Sequence, residues 1–369
     1  MSGKSPADNK LSPFLIKLTH WEFWPFYIVY IPVYFYFLWL AVKARSLFFF
    51  SASNPGVETG GLFGESKWNV LQKVSPELIP KTVLIKSETP IAVTLERLRH
   101  AGIGFPLIAK PDIGERGFLV EKIEDARSLE GYLSRFKIDF LLQEYVDDAF
   151  EYNILFYKMP GEANGCISSV TIKQYMSVTG DGKSSVLELM QRDYHAVMQV
   201  ERFKKEKRKV LEMIPARGET LKIEPIGNHA RGATFFDGRK LIDKRMTDTF
   251  NAISKRIPDM NIFRFDVKCK APDDLKTGLF KIVELNGAGG EPTHIYETGY
   301  SLFRAWKDLL HQWNIIYTVS RLNHKSGVKY MSFKEGIGGL KNYLAYKSRL
   351  RTIGVPDLKP LTEKPSQQE

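Results

Sequence analysis

The hydrophobic and polar positions change period several times along the chain. The run "IPKTVLI" (79–85) and the run "GFPLIAKP" (104–111) read as entries into strands, and "DFLLQEYV" (139–146) reads as another. "EYNILFYK" (151–158) and "CISSVTIKQYM" (166–176) alternate as half-buried strands do, and "IFRFDVKCK" (262–270) and "GLFKIVELN" (278–286) add two more. The separator of the last pair, "APDDLKTG", carries the Pro, Asp and Gly of a hairpin loop. Helical spacing appears at 67–74, in "EDARSLEGYLSRF" (124–136) and in "SSVLELMQRDY" (184–194), the last with Ser184 or Ser185 as N-cap. From 299 onward the pattern is helical and basic. Strands mixed with helices in this order predict an α+β fold.

The N-terminal part has a different texture. Residues 1–22 form a polar tail, and 51–66, "SASNPGVETGGLFGES", form a Gly- and Ser-rich loop. Between them, residues 23–42, "FWPFYIVYIPVYFYFLWLAV", carry no charge. A bilayer span takes about 20 apolar residues, and Trp and Tyr favour its interfaces. This predicts a retained membrane-associated segment over 23–50, either spanning or inserting as a kinked interfacial element around Pro25 and Pro32. The alternative is a buried helix of a soluble domain. Lys10 and Lys17 on one flank balance Lys43 and Arg45 on the other, so the charges do not orient it.

The 369 residues suffice for about two domains, and a net charge of +11 suits an anionic partner, whether nucleotide, nucleic acid or lipid headgroup. No nucleic-acid module is present. Lys325, Lys329, Lys334, Lys341, Lys347, Arg349 and Arg351 form either a solvated helical face or a lipid contact. Cys166 and Cys269 make neither a disulfide framework nor a zinc cluster, which fits a reducing compartment.

The chemistry concentrates where strands end. Glu284 and Asn286 are two residues apart, as are Arg264 and Asp266, so each pair shares a strand face. Paired as a hairpin, they gather three hard oxygen donors suited to Mg²⁺ and one guanidinium suited to phosphate or a developing oxyanion. The N–H groups near Gly287–Gly290, Gly289 and Gly290 among them, are expected to cradle that oxyanion. Lys110 ends an apolar strand beside Gly114 and Gly117, where a lysine can hold phosphate. Glu144, Tyr145 and Val146 close another strand and Glu151 opens the next, positions able to read a base and a ribose. "TGDGKSS" (179–185) sets Lys183 before a helix and resembles a phosphate loop, so Lys183 is expected at the nucleotide, although full P-loop spacing is lacking; His229 has no partner at metal-ligand spacing.

In this order, Lys110, "QEYV", Glu151, "GDGKSS", "GNHARGAT", "RFDV" and "VELNGAGG" resemble an ATP-grasp domain over about residues 67–300. The stretch 166–297 is similar to the corresponding part of cyanophycin synthetase, and the strands and metal residues resemble D-alanine–D-alanine ligase. The resemblance implies two α+β subdomains clasping ATP, with two Mg²⁺ ions, replaceable by Mn²⁺, on Asp266, Glu284 and Asn286. It implies Lys110, and Lys67 or Lys73, on the phosphates, Glu144 with Tyr145 and Val146 at adenine, and Glu151 at the ribose. Arg264 would stabilise the acyl phosphate or tetrahedral state, with His229 and Arg231 in the loop over the γ-phosphate.

The activity implied is an ATP-dependent carboxylate–amine or carboxylate–thiol ligase. A phosphotransferase and a non-catalytic nucleotide-binding membrane scaffold are the competing readings. Residues 1–66, which precede the ATP-grasp-like part here, do not resemble the family's usual N-terminal domain, and the loop after Asn286 reads "GAGGEPTH" without Pro-Gly. The carboxylate and amine are therefore not inherited from the resemblance. The membrane-like segment and basic tail lead to the expectation of a lipid or amphiphilic substrate, at the cytoplasmic membrane with the ATP-grasp domain facing the cytoplasm, where ATP is supplied.

Overall fold

The structure, a computed structural model, describes residues 12–115 and 117–354. Strands β1 (Thr82–Ile85), β2 (Leu107–Pro111), β3 (Glu121–Ile123) and β4 (Phe140–Glu144) form a sheet of order β1-β4-β2-β3. Next come β5 (Phe150–Tyr157) and β6 (Cys166–Gln174), then the ribbon β7 (Ser177–Thr179) with β8 (Thr220–Lys222). With β9 (Thr234–Asp237), β10 (Ile262–Cys269) and β11 (Phe280–Asn286), β5 and β6 build a sheet of order β11-β10-β5-β6-β9. Every neighbouring pair is antiparallel. An α+β fold follows as expected.

The helices begin where the sequence offers a cap. Ser66 accepts from Asn69 N–H at the start of Lys67–Leu71. Asp125 and Ser128 form a reciprocal capping pair before Ala126–Arg135, and Ser185 with Glu188 does the same before Val186–Arg192. The "APDDLKTG" connection holds one further helical turn, Asp274–Thr277.

The five-stranded sheet has two unlike faces because β5 and β10 keep the period of two, while bulges shift the register of β10 with β11 and of β5 with β6. Tyr152, Ile154 and Phe156 of β5 and Phe263, Phe265 and Val267 of β10 pack on Met246, Phe250 and Ile253 of the helix Lys244–Ser254. The residues between them, Glu151, Asn153, Arg264, Asp266 and Lys268, take the other face. The four-stranded sheet buries Ile85, Leu107, Ala109 and Leu142 against Leu98, Leu129 and Tyr132.

The expected membrane span over 23–50 is not formed. Residues 26–29 and 31–44 are separate helices, and Arg45 ends the second in a left-handed conformation at φ 52°. The longer helix has 14 residues, about 21 Å of rise against a hydrocarbon core of about 30 Å. Among the described residues no helix is long and apolar enough to cross a membrane. Instead Leu40 and Ala41 pack against Phe49, Ile315, Ile316 and Val319, the last three from the helix Leu302–Lys325. Trp306 Nε1 donates to the Val29 carbonyl at 2.8 Å, which pins the segment again. The outer side stays apolar and open, with Phe14, Phe35 and Val42 exposed at 72%, 71% and 77%. Part of the expected polar tail is helical, Pro13–Thr19, while residues 1–11 and the tail "EKPSQQE" lie outside the described residues.

Candidate active site

The β10–β11 hairpin places Asp266 opposite Glu284 and Arg264 opposite Asn286, with a bulge after Asp266. The four side chains expected to converge do so. Arg264 Nε donates to Asp266 Oδ1 at 3.0 Å, and Lys173 Nζ from β6 donates to Asp266 Oδ2 at 3.0 Å. Lys173 also donates to Glu151 Oε1 at 2.7 Å, and Tyr175 OH donates to Glu151 Oε2 at 2.5 Å. Lys67 Nζ sits 3.3 Å from Glu284 Oε1 and donates to the Gly114 carbonyl at 2.5 Å. Lys110 Nζ, reaching from the other sheet, donates to Gln143 Oε1 and to the Val283 carbonyl, both at 2.9 Å.

With Lys268 Nζ 4.0 Å from Glu151 Oε2, five cationic side chains thus surround Glu151, Asp266 and Glu284. Burial opposes charge on Glu284, yet Lys67, Lys110, Arg264 and Lys173 together hold its carboxyl at about 2. Burial pulls the Lys110 ammonium down to about 8. Burial also works against the charged forms of Lys67, Lys173 and Arg264, but their carboxylate neighbours keep all three above the ordinary values. Glu151 is likewise held low against its burial by Lys173 and Lys268. The charged forms are therefore retained in a desolvated site, which suits a polyphosphate with its counter-ion.

The metal set is consistent with this chemistry. Mg²⁺ takes one or two carboxylates with substrate phosphates and needs no all-protein cage. Among the described residues no group of three or more His, Cys, Asp or Glu is placed to hold a metal, so the set would be two carboxylates and an amide. Asn286 Nδ2 is buried without a partner, and a 180° turn of the amide brings its oxygen to that position.

A cavity of about 1020 Å³ lies between the two sheets and takes in this cluster. Lys67, Lys110, Glu144, Tyr145, Val146, Glu151, His229, Arg264, Asp266, Glu284, Asn286, Gly289 and Gly290 all line it. Glu144 Oε2 accepts from Lys81 N–H at 3.2 Å, and the Val146 carbonyl accepts from Lys268 Nζ at 2.9 Å. Lys73, Lys183 and Arg231 are not among the lining residues. Lys73 Nζ lies against Gly56. Lys183 is exposed, and the Asp181 carboxylate accepts from the N–H groups of Lys183 and Ser184 at 2.9 and 2.6 Å. Those two amides are spent on Asp181 and are not turned to a phosphate in the cleft. Arg231 pairs instead with buried Glu224 at 3.7 Å.

The expected oxyanion cradle is also modified. The N–H of Ala288 donates to the Gly60 carbonyl at 3.1 Å, that of Gly289 to Gly61 at 2.6 Å and that of Gly290 to Gly287 at 3.0 Å. The Gly-rich loop 51–66 docks on this turn so tightly that a Cβ on Gly287 would meet Gly60 O at 2.7 Å. Those glycines therefore allow close approach of two backbones, and Arg264 remains the donor aimed into the cleft. Lys173, Tyr175 and Lys268 are site residues that the sequence reading did not select. Lys268 continues the face of Arg264 and Asp266 at the same interval of two, and was detectable by extending that count. Lys173 becomes visible only once β5 pairs with β6 and Glu151 lies opposite it.

No family model matches the chain, and no curated protein matches it. Among solved structures it is similar to D-alanine–D-alanine ligase from Bacillus anthracis complexed with ATP, at 14% identity over 71% of this chain and 68% of that one, TM-score 0.40. It is also similar to a bifunctional glutathione synthetase from Pasteurella multocida, at 15% identity over 67% of this chain and 36% of that one, TM-score 0.35. VanG D-Ala:D-Ser ligase from Enterococcus faecalis is similar at 12% identity over 67% and 61%, TM-score 0.38. Likenesses at this level carry no argument about activity.

Proposed function

We propose that this chain is an ATP-grasp enzyme, an ATP-dependent carboxylate–amine or carboxylate–thiol ligase. The observation that carries the reading is the register of the β10–β11 hairpin. It sets Asp266 against Glu284 and Arg264 against Asn286 in a cleft whose facing sheet contributes Lys110.

Lys110 and Lys67 would neutralise and orient the phosphates, while Tyr145 and Val146 offer backbone groups to the adenine edge. Glu144 and Glu151 sit at the base and ribose end. Asp266, Glu284 and Asn286 would hold Mg²⁺, which supplies charge neutralisation at the transferring phosphoryl group. The substrate carboxylate attacks the γ-phosphorus, the bond to the β-phosphate oxygen breaks, and ADP leaves. An amine or thiol then adds to the acyl carbonyl, inorganic phosphate departs, and the nucleophile gives its proton to solvent. Arg264 is positioned to stabilise the charge that develops in both steps. The enzyme is proposed to work at the cytoplasmic face of a membrane. The exposed apolar side chains of residues 14–42 and the supply of ATP support that location.

Calorimetry with Mg²⁺ and ATP on the whole chain and on Glu284→Ala tests the site. Mg²⁺-dependent binding by the wild type and its loss in the variant are expected. A folded wild-type chain that binds no nucleotide refutes the mechanism. Free phosphate as product fits a ligase, whereas a stable phosphorylated product identifies a phosphotransferase, and binding without turnover a scaffold.

A further inference from the structure

The cavity does not end at the charged hairpin. The turn Gly287–Gly290 is a seam: Gly290 abuts the Arg264 side chain, while Ala288 belongs to the apolar cluster of Phe49 and Ile316. Beyond it the same cavity is walled by Trp24, Val33 and Phe37 of the N-terminal segment and by Leu309, Trp313 and Ile316 of the long helix Leu302–Lys325. Phe37 and Trp313 meet edge to face with ring centroids 5.0 Å apart. Within this wall Gln312 is 6% exposed, and its Nε2 has no hydrogen-bond partner. A buried amide nitrogen without an acceptor is costly, and the cost is relieved if a ligand brings the acceptor.

The nucleotide does not account for this space. Its phosphates belong at Lys67 and Lys110 and its base at Tyr145–Val146, on the far side of Arg264 from the chamber. We infer that the chamber holds the apolar body of the acyl substrate. That substrate is an amphiphilic carboxylic acid whose carboxylate reaches Arg264 and whose body meets Gln312 through an oxygen. The inference rests on the ligase reading, which supplies the carboxylate and the direction it must face. The N-terminal segment then supplies part of the substrate wall. The acid oxygen takes the γ-phosphoryl group, ADP leaves, and the acyl carbon stays at the seam.

The experiment is a binding series on the wild-type chain with Mg²⁺ and ATP present, using acetate, hexanoate and decanoate below micellar concentration. Decyltrimethylammonium serves as a control with the same tail and no carboxylate. Decanoate is expected to bind at least tenfold tighter than acetate, with the cation failing to compete. Val33→Trp, which fills the chamber, is expected to remove the gain with chain length, and thermal unfolding of that variant reports its fold. Mg²⁺·ATP binding with no gain from acetate to decanoate overturns the inference and leaves the ligase reading standing. Competition by the cation shows a greasy surface without carboxylate recognition and also overturns it. Decanoate binding by a folded chain that binds no ATP refutes the ligase reading and, with it, the substrate role.

Discussion

The hairpin 262–286 and the segment 23–44 are both rich in aromatic and branched residues, yet they do opposite work. In β10 every second residue is turned away from the core, so Arg264, Asp266 and Lys268 share one face while Phe263, Phe265 and Val267 share the other. In the N-terminal segment no charge interrupts the run, and nothing in its own pattern says which side is covered. The packing partner decides: Leu40 is fully buried against the helix Leu302–Lys325, while Phe35, five residues earlier, is 71% exposed. Alternation writes function onto one face of a strand. Uniform hydrophobicity writes only that something apolar must be met.

The two faces of β10 make the sharpest break. Phe265 is fully buried and stacks parallel to Phe263 at 5.3 Å, so Phe265→Ala is expected to lower unfolding stability by about 3–5 kcal/mol in a denaturant melt. The preceding residue should separate cleanly from it. Arg264→Ala is expected to reduce turnover on the order of 10²–10³-fold while ATP binding persists. A change in KM alone would place Arg264 in ground-state binding instead.

A smaller effect joins the two regions. Phe23 of the N-terminal segment stacks on His229, centroids 5.6 Å apart, and burial with the neighbouring His195 lowers the His229 imidazole to about 4. The unfolded chain takes up that proton below about 6.5, whereas the folded chain resists it. Stability is therefore complete above pH 6.5 and falls as pH drops toward 4, by at most about 3 kcal/mol from this group. His229→Gln should flatten that part of the pH–stability curve, and an unchanged slope would show the ring is not shielded as described. The smallest effect belongs to the open side. Phe35→Ser is expected to change stability within about 0.5 kcal/mol, yet to weaken binding to anionic lipid vesicles. Equal vesicle binding by variant and wild type would leave that face without a membrane role.

Much of this was legible because strands have a short period. The β10 and β11 runs, the pairing of Asp266 with Glu284, and Lys110 at the end of β2 all follow from counting by two and assuming a hairpin. What was not legible required knowing which elements meet. Lys173 needs the β5–β6 register, and the fate of the glycine amides needs the docking of residues 60–61 onto the 287–290 turn. The 23–50 segment misled because twenty uncharged residues satisfy the length rule for a span. Only the local breaks at Pro25 and Arg45 and the helix at 302–325 show that the run is folded back on the protein.

Lys110 carries a mechanical consequence. Its ammonium ties Gln143 of one sheet to the Val283 carbonyl of the other, so any widening of the gap must stretch or break that tether. A phosphate entering the gap competes with Val283 for the same protons. Occupancy and aperture are then two readings of one equilibrium: whatever loosens the clasp makes room for the anion, and an anion that captures the lysine unfastens the clasp.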